Sequence, residues 1–166
     1  MNDKLISQIK LLLFDFDGVL TNNKVYVNEK GEESVVCHRA DGLAFRALKK
    51  TGIETFIVST EKNEVVKKRG EKLRVKVLQG VSNKLDTVEK LAEDKNLSFN
   101  EIMFIGNDIN DLSLIRKVGW SACPIDSHDL VKKSCNFIFK RKGGDAIARE
   151  LVEELFYIDI IQLLEI

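Results

Sequence analysis

The sequence holds one proline among 166 residues, three cysteines, and no surplus of either charge, with 26 basic and 26 acidic side chains. Each scarcity narrows the reading. With so little proline and no low-complexity tract, no stretch resembles an interdomain linker, and the length suits one domain, residues 1–166, with a full core. Cys37, Cys123 and Cys135 lack C-x-x-C spacing, and an odd number cannot pair completely within one chain, so a reducing compartment fits best. Balanced charge leaves no basic stripe of the kind nucleic-acid binding needs. No apolar run is long enough to cross a membrane, and the charges at Asp3, Lys4, Lys10 and Asp15 leave no room for a signal core. The expectation is a cytoplasmic protein without nucleic-acid or membrane partners.

What is present is an alternation of short apolar runs with longer segments of helical period, the pattern of a Rossmann-like α/β fold with a mainly parallel sheet between helix layers. Strands are expected at Leu11–Phe16, Glu54–Ser59, Val75–Leu78, Ile102–Ile105, Trp120–Pro124 and Asn136–Phe139. Crossover helices are expected at Gly42–Lys50, Lys62–Leu73, Asn83–Lys95, Asn110–Lys117 and Ala146–Phe156. Lys24–His38 breaks the rhythm, with valines flanking Asn28-Glu29-Lys30-Gly31, and reads as an inserted β-hairpin that needs a partner surface. In open parallel sheets ligands gather beyond the carboxyl ends of the strands, so motifs there carry the functional argument.

The first such motif is Leu11-Leu12-Leu13-Phe14-Asp15-Phe16-Asp17-Gly18-Val19-Leu20-Thr21. Two carboxylates beside a buried strand require compensation, because unpaired buried charge is costly. A calcium loop of the EF-hand type would place glycine sixth and glutamate twelfth, whereas Gly18 is fourth and Tyr26 twelfth. The chemical alternative is one carboxylate that attacks phosphorus and binds a hard cation, with its neighbour moving a proton. A pair of turn-forming aspartates is the bland reading.

Three further motifs follow at later strand ends. Ile57-Val58-Ser59-Thr60-Glu61 brings a hydroxyl suited equally to a phosphoryl oxygen or a helix N-cap. Gly80-Val81-Ser82-Asn83-Lys84 places a lysine in a first helical turn, where the helix dipole favours an acid instead. Phe104-Ile105-Gly106-Asn107-Asp108-Ile109-Asn110-Asp111 offers oxygen ligands directly after an apolar strand.

Taken together these segments resemble the four motifs of haloacid dehalogenase (HAD) phosphatases, in order and over nearly the whole chain. The resemblance implies Asp15 as nucleophile, Asp17 as acid/base, and Ser59 and Lys84 as partners of the phosphoryl group, with backbone amides around Phe16 to Gly18 assisting. It implies Mg²⁺ held by Asp15, Asp17 and either Asn107 or Asp108; the family usually has two consecutive acids where this chain has Asn107-Asp108.

The hairpin in place of a cap domain resembles a capless subgroup acting on 3-deoxy-octulosonate 8-phosphate or on nine-carbon sialic-acid-type 9-phosphates. Ala40-Asp41-Gly42, Leu78-Gln79-Gly80 and Gly143-Gly144-Asp145-Ala146-Ile147-Ala148-Arg149-Glu150 strengthen that similarity. Where octulosonate enzymes usually continue the second motif as Thr-Gly-Arg, this chain has Ser59-Thr60-Glu61, closer to the nonulosonate version. The resemblance implies substrate contacts from Thr60, Glu61, Arg69 and Lys72, a homotetramer, and a place for Gly143, Gly144 and Arg149 near substrate across a subunit boundary. A catalytically silent assembly module related to sialic-acid-activating enzymes, kept open by Asn107, and a phosphotransferase are the competing expectations.

Overall fold

A computed structural model describes residues 3–166, with side chains from residue 5 onward. The apolar run Leu11–Phe14 forms strand β1 and is wholly buried, because it lies at the centre of the sheet and meets helices on both sides. Its neighbours are β4 (Glu54–Val58) and β6 (Ile102–Ile105), both parallel to it, with Leu11 opposite Glu54 and Ile102. Beyond them lie β5 (Lys76–Leu78) on one side and β7 (Trp120–Cys123) and β8 (Phe137–Ile138) on the other, giving the order β5-β4-β1-β6-β7-β8.

Successive side chains of a strand face opposite ways, and this divides the core in two. Leu12, Phe14, Ile57, Met103 and Ile105 pack on one face with helices α2 (Asp41–Thr51), α3 (Glu64–Leu73) and α7 (Ile147–Glu150). Leu11, Leu13, Phe56, Phe104 and Val58 pack on the other with α4 (Lys84–Asp94), α5 (Leu112–Ile115) and α6 (Asp129–Ser134). The result is the expected three-layer α/β sandwich.

The hairpin is also present, as antiparallel β2 (Thr21–Val27) and β3 (Glu33–Cys37), separate from the main sheet. Asn28 Oδ1 closes its turn by accepting from Lys30 N and Glu32 N at 2.9 and 3.0 Å. Val25, Tyr26, Val27 and Val36 stand exposed on it.

Several boundaries differ from expectation. Strand β1 stops at Phe14 because Val19, Leu20 and Thr21 all turn their amides back to Phe16 O. The expected helix Asn110–Lys117 shrinks to α5 after a tight turn at Ile109–Asp111. The expected helix Ala146–Phe156 begins one residue later, since Ala146 is left-handed at φ +62°, and it widens to a π-type turn over Leu151–Leu155. Helices α1 (Asp3–Gln8), α6 and α8 (Ile160–Leu164) are too short for a helical period to repeat in the sequence. Ile158, Ile160 and Leu164 of the apolar tail are buried in the core, and no helix among the described residues is long and apolar enough to cross a membrane.

Candidate active site

Four strand ends converge on Asp15. Its backbone still pairs with the sheet, N to Ile105 O at 2.8 Å, so the carboxylate is fixed at the sheet's edge, only 5% exposed. Lys84 reaches it from the start of α4, a position set by Asn83, whose side chain caps the helix by accepting from Leu85 N and Asp86 N. Lys84 Nζ lies 2.6 Å from Asp15 Oδ1 and 2.7 Å from Asp111 Oδ1, and all three side chains are buried. The ring of Phe104 lies under the ammonium, its centroid 5.7 Å away.

Two buried acids share one base, so with both ionised the cluster would carry one uncompensated negative charge. Burial, and next the Asp111 carboxylate, push the Asp15 carboxyl up to about 7 against the opposing pull of Lys84. Burial works to lower the Lys84 ammonium, but the two acids outweigh it and raise it. Asp111 is the residue that sequence reasoning left without a role. Its second oxygen accepts from Asn107 N at 2.9 Å, so it orients Lys84 and the Asn107 loop together. The available signal was an acid four residues after Asn107, at the end of the motif that offers oxygen ligands.

Asn107 supplies the next element. Its amide group lies 2.9 Å from the Asp17 carbonyl oxygen and 3.2 Å from Asp15 Oδ2. With nitrogen turned inward, the amide donates to both. With Oδ1 turned inward, three oxygens converge at separations close to the edge of a magnesium octahedron, about 3.0 Å for bonds of about 2.1 Å. The donor set therefore fits a small hard cation, which would select the oxygen-inward amide. Gly18 makes room for it: its φ is +79°, and an added Cβ would stand 2.0 Å from the Asn107 amide. Asp108 contributes nothing to this set, because it is exposed and its Oδ1 caps the following turn, accepting from Ile109 N at 2.7 Å.

Asp17 is half-buried beside them. Its Oδ1 accepts from Thr21 Oγ1 at 3.3 Å. Burial raises its carboxyl, Glu61 and Glu33 add to the rise, and the Thr21 hydroxyl opposes it, so Asp17 holds a proton more readily than an ordinary aspartate. Of the nearby amides, Phe16 N is engaged by Asp15 Oδ1 and Gly18 N by Thr21 Oγ1.

Ser59 is buried at the end of β4; its Oγ accepts from Glu61 N at 3.1 Å and keeps its own hydrogen free to donate. A cleft of about 230 Å³ opens beside Asp17, lined by Lys24, Val25, Glu33, Glu61 and Asn63 among others. Of the four expected substrate contacts, Glu61 lines this cleft and Thr60 is exposed next to it. Arg69 is not among the lining residues; it donates to His38 O at 2.7 Å, where the chain leaving the hairpin passes α3. Lys72 is exposed in the last turn of α3. Glu33 and Asn63, joined at 3.0 Å, are lining residues that the sequence alone did not single out.

A carboxylate flanked by an ammonium, a cation-sized ring of oxygens and a proton-holding acid is a set that can receive a phosphoryl group and neutralise its charge. The known proteins that resemble the chain have that character. Residues 45–151 match the family described as haloacid dehalogenase-like hydrolase. The 3-deoxy-D-manno-octulosonate 8-phosphate phosphatase of Escherichia coli K12 is 31% identical over 148 residues, covering 89% of this chain and 79% of that enzyme. Among solved structures, one assigned to the HAD family from Streptomyces avermitilis is 34% identical, with a TM-score of 0.86 over 89% of this chain and 85% of that one. The 3-deoxy-D-manno-octulosonate 8-phosphate phosphatase of Yersinia pestis is 25% identical, with a TM-score of 0.86 over 98% of this chain and 85% of that one. The chain belongs to the haloacid dehalogenase-like hydrolase family and is a phosphatase.

Proposed function

We propose that the chain is a magnesium-dependent phosphomonoesterase that hydrolyses a phosphorylated acidic 2-keto-3-deoxy sugar through an aspartyl phosphate on Asp15. The observation that carries this reading is the two-sided grip on Asp15, with Lys84 Nζ 2.6 Å from Oδ1 and the Asn107 amide 3.2 Å from Oδ2. Bound magnesium would supply positive charge to the phosphoryl oxygens, with Asp15, the Asp17 carbonyl and Asn107 holding it.

The chain's own groups divide the remaining work. Asp15 attacks phosphorus, forming an O–P bond as the ester O–P bond breaks, while Asp17 delivers its proton to the departing sugar oxygen. Asp17, now ionised, takes a proton from water, which attacks the same phosphorus; inorganic phosphate leaves and Asp15 is restored. Lys84 and the Ser59 hydroxyl balance the charge spread over the transferring group. Asp111 keeps Lys84 aimed at Asp15.

Asn107 gives the metal set one formal charge fewer than an acid would. Asn107→Asp is expected to tighten magnesium binding about tenfold or more, measured by calorimetric titration, since cation affinity rises with ligand charge. Unchanged affinity would remove Asn107 from the coordination set.

Substrate choice follows from the cleft wall. Glu33 and Glu61 accept hydrogen bonds from hydroxyls and repel a carboxylate, so the wall suits a polyol tail. This favours a nine-carbon acid 9-phosphate; the activity of the E. coli relative favours the eight-carbon 8-phosphate as the second reading. Phosphate release with magnesium from both substrates decides: the nine-carbon ester is expected to turn over at least about tenfold better in kcat/KM. The reverse preference would establish the eight-carbon reading, and no release from any sugar phosphate would favour the silent module.

The cleft of about 230 Å³ is smaller than pockets that enclose a ligand of this size, roughly 300–1,000 Å³. A homotetramer whose apolar hairpins pack together would complete the wall and cover Val25, Tyr26, Val27 and Val36. A cytoplasmic location is part of the same reading.

A further inference from the structure

The glycine pair Gly143-Gly144 reaches the active site within its own chain. It lies flat against the loop that leaves Asp17: a Cβ added to Gly143 would stand 2.1 Å from Gly18 O, and one added to Gly144 would stand 2.4 Å from Asn22 N. Gly144 N donates to Val19 O at 2.9 Å. Backbone meets backbone with no side chain between, so the position of one segment fixes the other.

The glycine turn is itself anchored by three carboxylates. Gly143 N donates to Asp126 Oδ1 at 2.9 Å. Lys140 N and Arg141 N donate to the two oxygens of Glu150 at 2.6 and 3.0 Å, and Glu150 is buried. Ala148 N donates to Asp41 Oδ1 at 3.1 Å, and Asp41 is buried as well. Between these anchors Ala146, wholly buried, is held left-handed at φ +62°. A non-glycine residue keeps that conformation only where its surroundings over-determine it.

None of these carboxylates has a part in the proposed chemistry. We infer that residues 140–148 form a brace for the Asp17–Thr21 loop, and that Asp126 and Glu150 are positioning residues acting through Gly143. The catalytic arm of this inference rests on the phosphatase reading; the structural arm does not.

Gly143 is not left-handed, so Gly143→Ala tests the close approach alone. Displacing the loop by the width of a methyl group is expected to lower kcat about 100-fold with KM within about twofold of the wild type. The amides of Leu20 and Thr21, which donate to Phe16 O at 2.9 and 3.1 Å, should exchange hydrogen at least about tenfold faster, with Ser59 N in the sheet unchanged. If Gly143→Ala does not fold, Asp126→Ala at an exposed position takes its place. It should lose about tenfold in kcat, and Asp126→Asn, which keeps an oxygen acceptor for Gly143 N, should restore it. Unchanged loop exchange in both Gly143→Ala and Asp126→Ala would overturn the brace. A wild-type chain without phosphatase activity would overturn the functional reading instead, and loop exchange would still decide the brace.

Discussion

Asp15→Asn is expected to remove phosphate release, lowering kcat by on the order of 10⁴-fold or more while the protein stays folded. The amide keeps the shape of the carboxyl group but cannot form the phosphoryl ester that the mechanism requires. Stability should be kept or raised. In the wild type Asp15 and Asp111 crowd one ammonium at 2.6 and 2.7 Å, and removing one of the two charges leaves the Lys84–Asp111 pair balanced. Steady-state kinetics together with a thermal melt therefore read two opposite-signed effects from one variant. Magnesium-dependent activity above about a tenth of the wild type would contradict the assignment.

Lys84→Met is expected to damage both activity and fold. Phosphoryl transfer loses its ammonium, costing about 10³-fold in kcat. The fold loses the cation that bridges two buried carboxylates, and breaking such a cluster from one side typically costs about 3–5 kcal/mol. The cost should depend on pH. In the metal-free wild type the Asp15 carboxyl, raised from 3.8 to about 7 by burial and Asp111, holds a proton in the folded state that the unfolded chain releases. Its contribution is therefore full below about pH 4 and lost as pH rises through about 7. Without Lys84 the pull that lowers this carboxyl is gone, and the window extends to higher pH. Denaturant melts at pH 8 and pH 6 are expected to show the variant closer to the wild type at pH 6. A pH-independent difference would mean that the carboxylates are not coupled through Lys84.

Much of this was legible in the sequence, for identifiable reasons. Strand β6 appears where its apolar run predicts it, and β1 begins at Leu11, because a central strand buried on both faces admits no polar residue. Lys84 could be placed because Asn83 marks the start of its helix, and the order of strand ends brought Asp15, Ser59, Lys84 and Asn107 to one edge of the sheet. Other features were hidden. Asp111 sits in a polar stretch and gains its burial only from the fold around it. Ala146 reads as a helix former, and its left-handed conformation comes from tertiary anchors rather than from its own preference. Arg69 donates to His38 O, a contact 31 residues away that no local pattern records.

The central claim is that phosphorus is bonded to Asp15 during turnover. Mixing enzyme with substrate and magnesium, quenching in acid within one turnover and mapping the peptides by mass spectrometry tests it directly. The account predicts one phosphoryl group on the peptide containing Asp15, absent from Asp15→Asn. Full phosphate release in the first turnover with an unmodified Asp15 peptide, or the label on another residue, would contradict it.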